Sequence, residues 1–135
     1  MTRSRRVAAS LCLILTLGSG VAACGDDSDA LCDDVDALRN SMAELQDTEI
    51  ERGALSVLAD EVRAIQADVQ QVAEDAAAEY SSEVEALRSR ATALGSSIET
   101  AAADPSVATV TQVRDDVNAL GSAVTALSDA VADTC

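Results

Sequence analysis

The side chains able to do covalent or acid–base chemistry in this 135-residue chain are few: four cysteines, 24 Asp and Glu residues, and one tyrosine. The cysteines are Cys12, Cys24, Cys32 and Cys135. Histidine, lysine, tryptophan and phenylalanine are absent, and all nine basic residues are arginine. Without His, the Ser-His-Asp and Cys-His arrangements cannot be assembled, and the commonest metal ligand is missing. The lack of Trp and Phe removes the stacking platforms used for nucleobases. Paired carboxylates remain, at Asp33-Asp34 and Asp115-Asp116. On a helix, adjacent residues do not face each other, so neither pair reads as an acid/base couple. Asp26, Asp27, Asp29, Asp33, Asp34 and Asp36 could be taken for a calcium set, but their spacing departs from the EF-hand loop. The chain is therefore expected to be no enzyme, and to carry no cofactor and no metal.

The first 23 residues have the anatomy of an export signal. Arg3, Arg5 and Arg6 form a positive start, Val7 to Leu17 is an apolar run, and Gly18-Ser19-Gly20 ends it. A run of 11 residues is too short for a permanent span, which needs about 20. Ser4-Arg5-Arg6 raises twin-arginine export, but Val7-Ala8-Ala9 lacks the larger apolar residues usual after that pair, so the general secretory route is favoured.

Val21-Ala22-Ala23-Cys24 resembles the bacterial lipobox: an aliphatic residue, two small ones, then Cys. The resemblance implies cleavage between Ala23 and Cys24 and a diacylglyceryl group on the Cys24 thiol. Two acyl chains hold a protein on a bilayer where one does so only marginally. The expected location is thus the extracytoplasmic face of the cell membrane, by lipid anchor. Residues 1–23 would be the signal, 24–29 an acidic tether, and 30–135 a helical domain.

Loss of the signal leaves six arginines against 24 acids, a net charge of −18. Such a field repels nucleic acid and anionic headgroups, so no nucleic-acid partner is expected and lipid alone must hold the chain to the membrane.

Four apolar seams with heptad spacing run through the rest. They are Leu31, Val35, Leu38, Met42, Leu45; then Leu55, Leu58, Val62, Ile65, Val69, Val72, Ala76; then, after a one-residue phase slip, Tyr80, Val84, Leu87, Ala91, Leu94, Ile98, Ala101; and finally Val110, Val113, Val117, Leu120, Val124, Leu127, Val131. No useful stretch alternates with period two, so no strand is expected. Thr48 and Glu51 form a capping box that opens the second helix, and Asp104-Pro105 ends the third while supplying an N-cap and first-turn Pro for the last.

Aligning the seams places Met42 opposite Leu55, Leu38 opposite Leu58, Val35 opposite Val62 and Leu31 opposite Ile65. Across the Asp104 turn, Ile98 faces Val110, Leu94 faces Val113 and Tyr80 faces Leu127. The expected fold is an all-α, antiparallel, coiled-coil-like bundle of three helices with a long central helix over about 49–102, the phase slip turning its two halves to different partners. The alternative is a compact four-helix bundle, broken at Tyr80-Ser81-Ser82, where Ser82 and Glu85 offer another capping box. In either, Tyr80 fills the gap at the slip. Asp36/Arg39, Glu49/Arg52, Asp60/Arg63 and Glu85/Arg88 are spaced for surface ion pairs of small energy.

With Cys12 in the signal and Cys24 lipidated, Cys32 and Cys135 remain, and two cysteines in an exported domain suggest one disulfide. The three-helix alignment leaves them about 10–12 Å apart along the long helix, a gap that an extended 132–135 could close; in the four-helix alternative both residues also reach one end. Two free thiols, or an intermolecular bridge through Cys135, are the alternatives.

A lipidated Cys followed by a short heptad helix is similar to the major murein lipoprotein of Gram-negative envelopes. Pro105, the turn near Thr48 and the lack of a C-terminal Lys separate this chain from it, and covalent attachment to peptidoglycan is not carried over. The function expected is that of a membrane-anchored lipoprotein with an interaction or spacer role in the envelope, its partner an unknown envelope protein and its oligomeric state open. The alternative is a small-ligand or solute-binding lipoprotein.

Overall fold

The computed structural model describes residues 26–50, 52–76 and 78–135. They form four helices: α1 (Asp26–Asp47), α2 (Leu55–Asp75), α3 (Ser81–Ala103) and α4 (Val107–Val131). Single 3₁₀ turns at Arg52–Ala54 and Ala78–Tyr80 lead into α2 and α3. Among the described residues there is no strand. Each helix packs on the next in sequence, and α4 packs back on α1, which closes the four into a ring around one core.

That core is built from the four seams. Every seam residue from Leu31 to Val131 is buried except Ala76, which is part-buried against the rest. Ser97 is the one buried polar residue among those described, and its hydroxyl donates to the Leu94 carbonyl at 3.0 Å. A narrow seam of Val, Leu and Ala on helices of 21 to 25 residues can be covered completely only when four such faces meet.

The long central helix is not formed. Ala76 turns extended (φ −69°, ψ 129°), and Tyr80 sits outside the helical region as the residue before α3. Ala76 and Ala78 are good helix formers, so local propensity favours continuation. Packing decides otherwise: Tyr80 is buried at the end of the bundle, with its hydroxyl 2.6 Å from Thr134 Oγ1 beyond the end of α4. The break falls where the phase slips, but the Ser82/Glu85 capping box is not used. Tyr80 makes no side-chain cap, and the Ser82 hydroxyl donates to Glu83 instead.

The α1–α2 alignment also differs from the expected one. Thr48 stays with α1, its backbone N–H donating to the Glu44 carbonyl, and α2 begins at Leu55 rather than near Thr48. With that longer connection α2 is slid along α1, so that Thr48, just past the end of α1, lies level with Glu61 inside α2. Ser41 donates to Asp68 across the contact, so its neighbour Met42 lies level with the Val69 region, two heptads beyond Leu55. At the α3–α4 turn, Ser97 and Thr100 share a recess with Ala108, Thr109 and Gln112, as the expected alignment there requires. The α4 cap is shifted. Asp104 closes α3, Pro105 lies between the helices, and Ser106 is the N-cap, in a capping box with Thr109. Asp26, Asp27 and Asp29, expected in the tether, lie within α1.

Candidate functional site

Chemistry-bearing groups collect at one end of the bundle, formed by the start of α1, the end of α2, the start of α3 and the tail after α4. Cys32 and Cys135 are joined there as a disulfide, with Cα atoms 5.6 Å apart. The pairing is the expected one, and its route is that of the four-helix alternative, with both residues at one end of the bundle. Helices α1 and α4 are antiparallel neighbours, with Ile50 bonded to Arg114 near one end and Gln46 over Gly121 in between, and the disulfide continues that contact to the other end. The tail reaches it through one further turn, with the N–H groups of Thr134 and Cys135 both donating to the Val131 carbonyl. Cys12, Cys24 and the rest of the signal and lipobox lie outside the described residues.

This end is acidic throughout. Residues 26–36, 66–87 and 122–135 carry Asp and Glu but no arginine. Along the α1–α2 contact, three polar pairs follow one another at heptad spacing. The Thr48 hydroxyl reaches Glu61 Oε1 at 3.0 Å, and the Ser41 hydroxyl reaches Asp68 Oδ2 at 2.8 Å. One heptad further along the same row, Asp34 falls opposite Asp75. Two carboxylate oxygens of this row are buried without a partner, Glu61 Oε2 and Asp34 Oδ2. Loss of hydration, together with Asp75, Asp33 and Asp68 around it, pushes the Asp34 carboxyl up to about 6.

The other candidate residues are dispersed. Asp115 and Asp116 lie on α4, with Gln112 donating to Asp116. Of the expected ion pairs, Asp36–Arg39 (3.7 Å) and Asp60–Arg63 (2.6 Å) form, both largely exposed. Glu85 and Arg88 do not close, and the Arg52 side chain lies outside the described residues. Arg114, to which the sequence assigned no partner, donates to the Ile50 carbonyl at 3.1 Å and ties α4 to the α1–α2 connection. Among the described residues, no three His, Cys, Asp or Glu side chains are placed to hold a metal ion. The α2–α3 surface has an open recess lined by Gln66, Val69, Gln70, Arg88, Ala91 and Thr92.

Sequence reasoning did not find the Asp34–Asp75 pair. Its signal was present, since Ser41 and Thr48 follow Asp34 at sevenfold spacing, just as Asp68 and Asp75 follow Glu61. It becomes visible only once α1 is aligned correctly on α2. No family model, curated protein or solved structure matches this chain.

Proposed function

We propose that this is an exported bacterial lipoprotein, anchored through a diacylglyceryl group on Cys24, whose acidic helical domain works by protein contact or as a spacer on the extracytoplasmic face of the membrane. One observation carries the reading: Val21-Ala22-Ala23-Cys24 follows a basic start and an 11-residue apolar run at the spacing of a lipoprotein signal. Two features are compatible with it. The Cys32–Cys135 bond suits an oxidising compartment. No described helix is long and apolar enough to cross a membrane, so the anchor would be the lipid.

In this reading α1 starts two residues after the anchor. The stapled end then lies nearest the headgroups, and the turn between α3 and α4 lies farthest out. The acidic near end would be repelled by anionic lipid and keep the domain off the surface. The contact role rests on the absence of a constellation suited to catalysis in the sequence, and on a surface made of four exposed helix faces.

The test is the intact mass of the protein purified from membranes, before and after reduction. The expected species begins at Cys24, carries the diacylglyceryl mass, and gains about 2 Da on reduction as one disulfide takes up two hydrogens. An unlipidated species beginning elsewhere would overturn the anchor.

A further inference from the structure

The three polar pairs along the α1–α2 contact form a row in which each position on α2 is a carboxylate. Two of the facing positions carry hydroxyls, Ser41 on α1 and Thr48 just past its end; Ser41 donates to Asp68, and Thr48 shares its proton between Glu61 and the Glu44 carbonyl. The third is Asp34, facing Asp75. Two ionised carboxylates have four acceptor oxygens and no donor, so this pair can form the bond made by its neighbours only if one oxygen carries a proton. Asp34 Oδ2, buried and without a partner, is the atom left unsatisfied when it does not.

We propose that Asp34 and Asp75 share a proton across the α1–α2 contact, and that this pair is a pH-sensitive clasp on the stapled end of the bundle. The start of α1 is held by two ties of different kinds. Cys32 fixes it covalently to the tail of α4, while Asp34 meets Asp75 at the end of α2, in step with the two bonded pairs of the row. When the proton leaves, two negative charges face each other, and the tie to α2 becomes a repulsion. The tie to α4 is unaffected.

The surroundings reinforce the effect from each packed element. On α1 itself the acting neighbour is Asp33, and on α2 they are Asp68 and Asp75; all three oppose ionisation of Asp34. The last turns of α4 and the tail, which pack on the same end of α1, carry only Asp129 and Asp133 as charged side chains, both exposed. No arginine lies within these stretches to hold the second charge. The direction follows from linkage. A carboxyl raised from 3.8 to about 6 binds its proton more tightly in the folded chain. Its contribution is therefore present in full below pH 3.8 and is lost as pH rises through about 6.

The experiment is thermal unfolding of the full chain in mild non-ionic detergent from pH 4 to pH 8. It compares the native sequence with Asp34→Ser, which restores the hydroxyl of the other two pairs, and with Asp115→Asn, which removes an exposed charge elsewhere. The folding equilibrium of the native chain is expected to weaken over this range by about tenfold more than that of Asp34→Ser, the ideal hundredfold being screened at a part-exposed site. Asp34→Ser should also melt above the native chain at pH 7, and Asp115→Asn should keep the native slope. The clasp is overturned if Asp34→Ser keeps the native pH dependence, melts lower at pH 7, or is matched by Asp115→Asn. Nuclear magnetic resonance titration of the Asp34 carboxyl carbon in the native chain decides the matter even if the variant does not fold. A midpoint near 6 supports the clasp, and one in the ordinary carboxylate range refutes it.

Discussion

Replacing Cys135 by Ser should remove a large part of the stability of this domain while leaving its folded structure almost unchanged. The contacts that position the tail, the Tyr80–Thr134 hydroxyl pair and the two N–H bonds to the Val131 carbonyl, involve neither sulfur and survive the substitution. What is lost is the constraint on the unfolded chain. The bond closes a sequence separation of 103 residues, for which the chain-entropy relation gives about 4–5 kcal/mol at 25 °C. A domain of this size has a total stability of roughly 5–15 kcal/mol, so the variant is left with a small remainder. In urea, with a slope of about 2 kcal/mol per molar, the midpoint should fall by about 2 M, read by helical circular dichroism on the full chain in detergent. Cys32→Ser should show the same fall, and the double variant no more than either single one, because one cross-link can be lost only once. The reasoning is refuted if the midpoint of Cys135→Ser stays within about 0.5 M of the native value. It fails equally if the two single losses add, which would mean that each sulfur acts through its own packing.

Two glycines should respond differently to alanine. At Gly121 a Cβ would meet only the amide end of Gln46 at 2.8 Å and Met42 Cε at 3.8 Å, so Gln46 swings aside and the gain in helix propensity remains, raising stability by about 0.5–1 kcal/mol. At Gly95 the Cβ would displace the Gln66 amide, which donates to the Ala91 carbonyl at 3.3 Å; that loss offsets the same gain, and the melting temperature should barely move. Ser106→Ala removes the side-chain half of the α4 capping box and should cost about 1 kcal/mol in the same unfolding assay.

The burial pattern was legible in the sequence because it is a property of one helix at a time. A heptad seam states which face is apolar, and the residues from Leu31 to Val131 on those seams are the residues that became the core. The alignment of α1 on α2 is a property of two helices, and here the seam carries little information. Sliding one seam past another by seven or fourteen residues brings Leu and Val opposite Leu and Val again, so Met42 opposite Leu55 reads as well as Met42 near Val69. What distinguishes the alignments is polar. Only the observed alignment lets Ser41 reach Asp68 and Thr48 reach Glu61, each bond satisfying a part-buried group. The break before α3 has a similar origin, since Ala76 and Ala78 do not ask for one; it exists because Tyr80 and Thr134, 54 residues apart, meet at the end of the bundle.

The acidic pair and the disulfide differ in how far residue type alone singles out a partner. Cys32 and Cys135 identify each other by elimination, since a rare residue type leaves few partners to choose among. Asp34 and Asp75 are two of 24 acids, and nothing in their type marks them out. Their distinction is positional: on a row where the other two positions facing carboxylates are hydroxyls, a third carboxyl stands in the donor's place. A sequence selected only for stability would put Ser or Thr at residue 34, as it does at 41 and 48, because a hydroxyl makes the bond at every pH. Asp makes it only when protonated. The departure from the row is therefore the place where this fold trades constant hold for a hold that depends on the acidity around it.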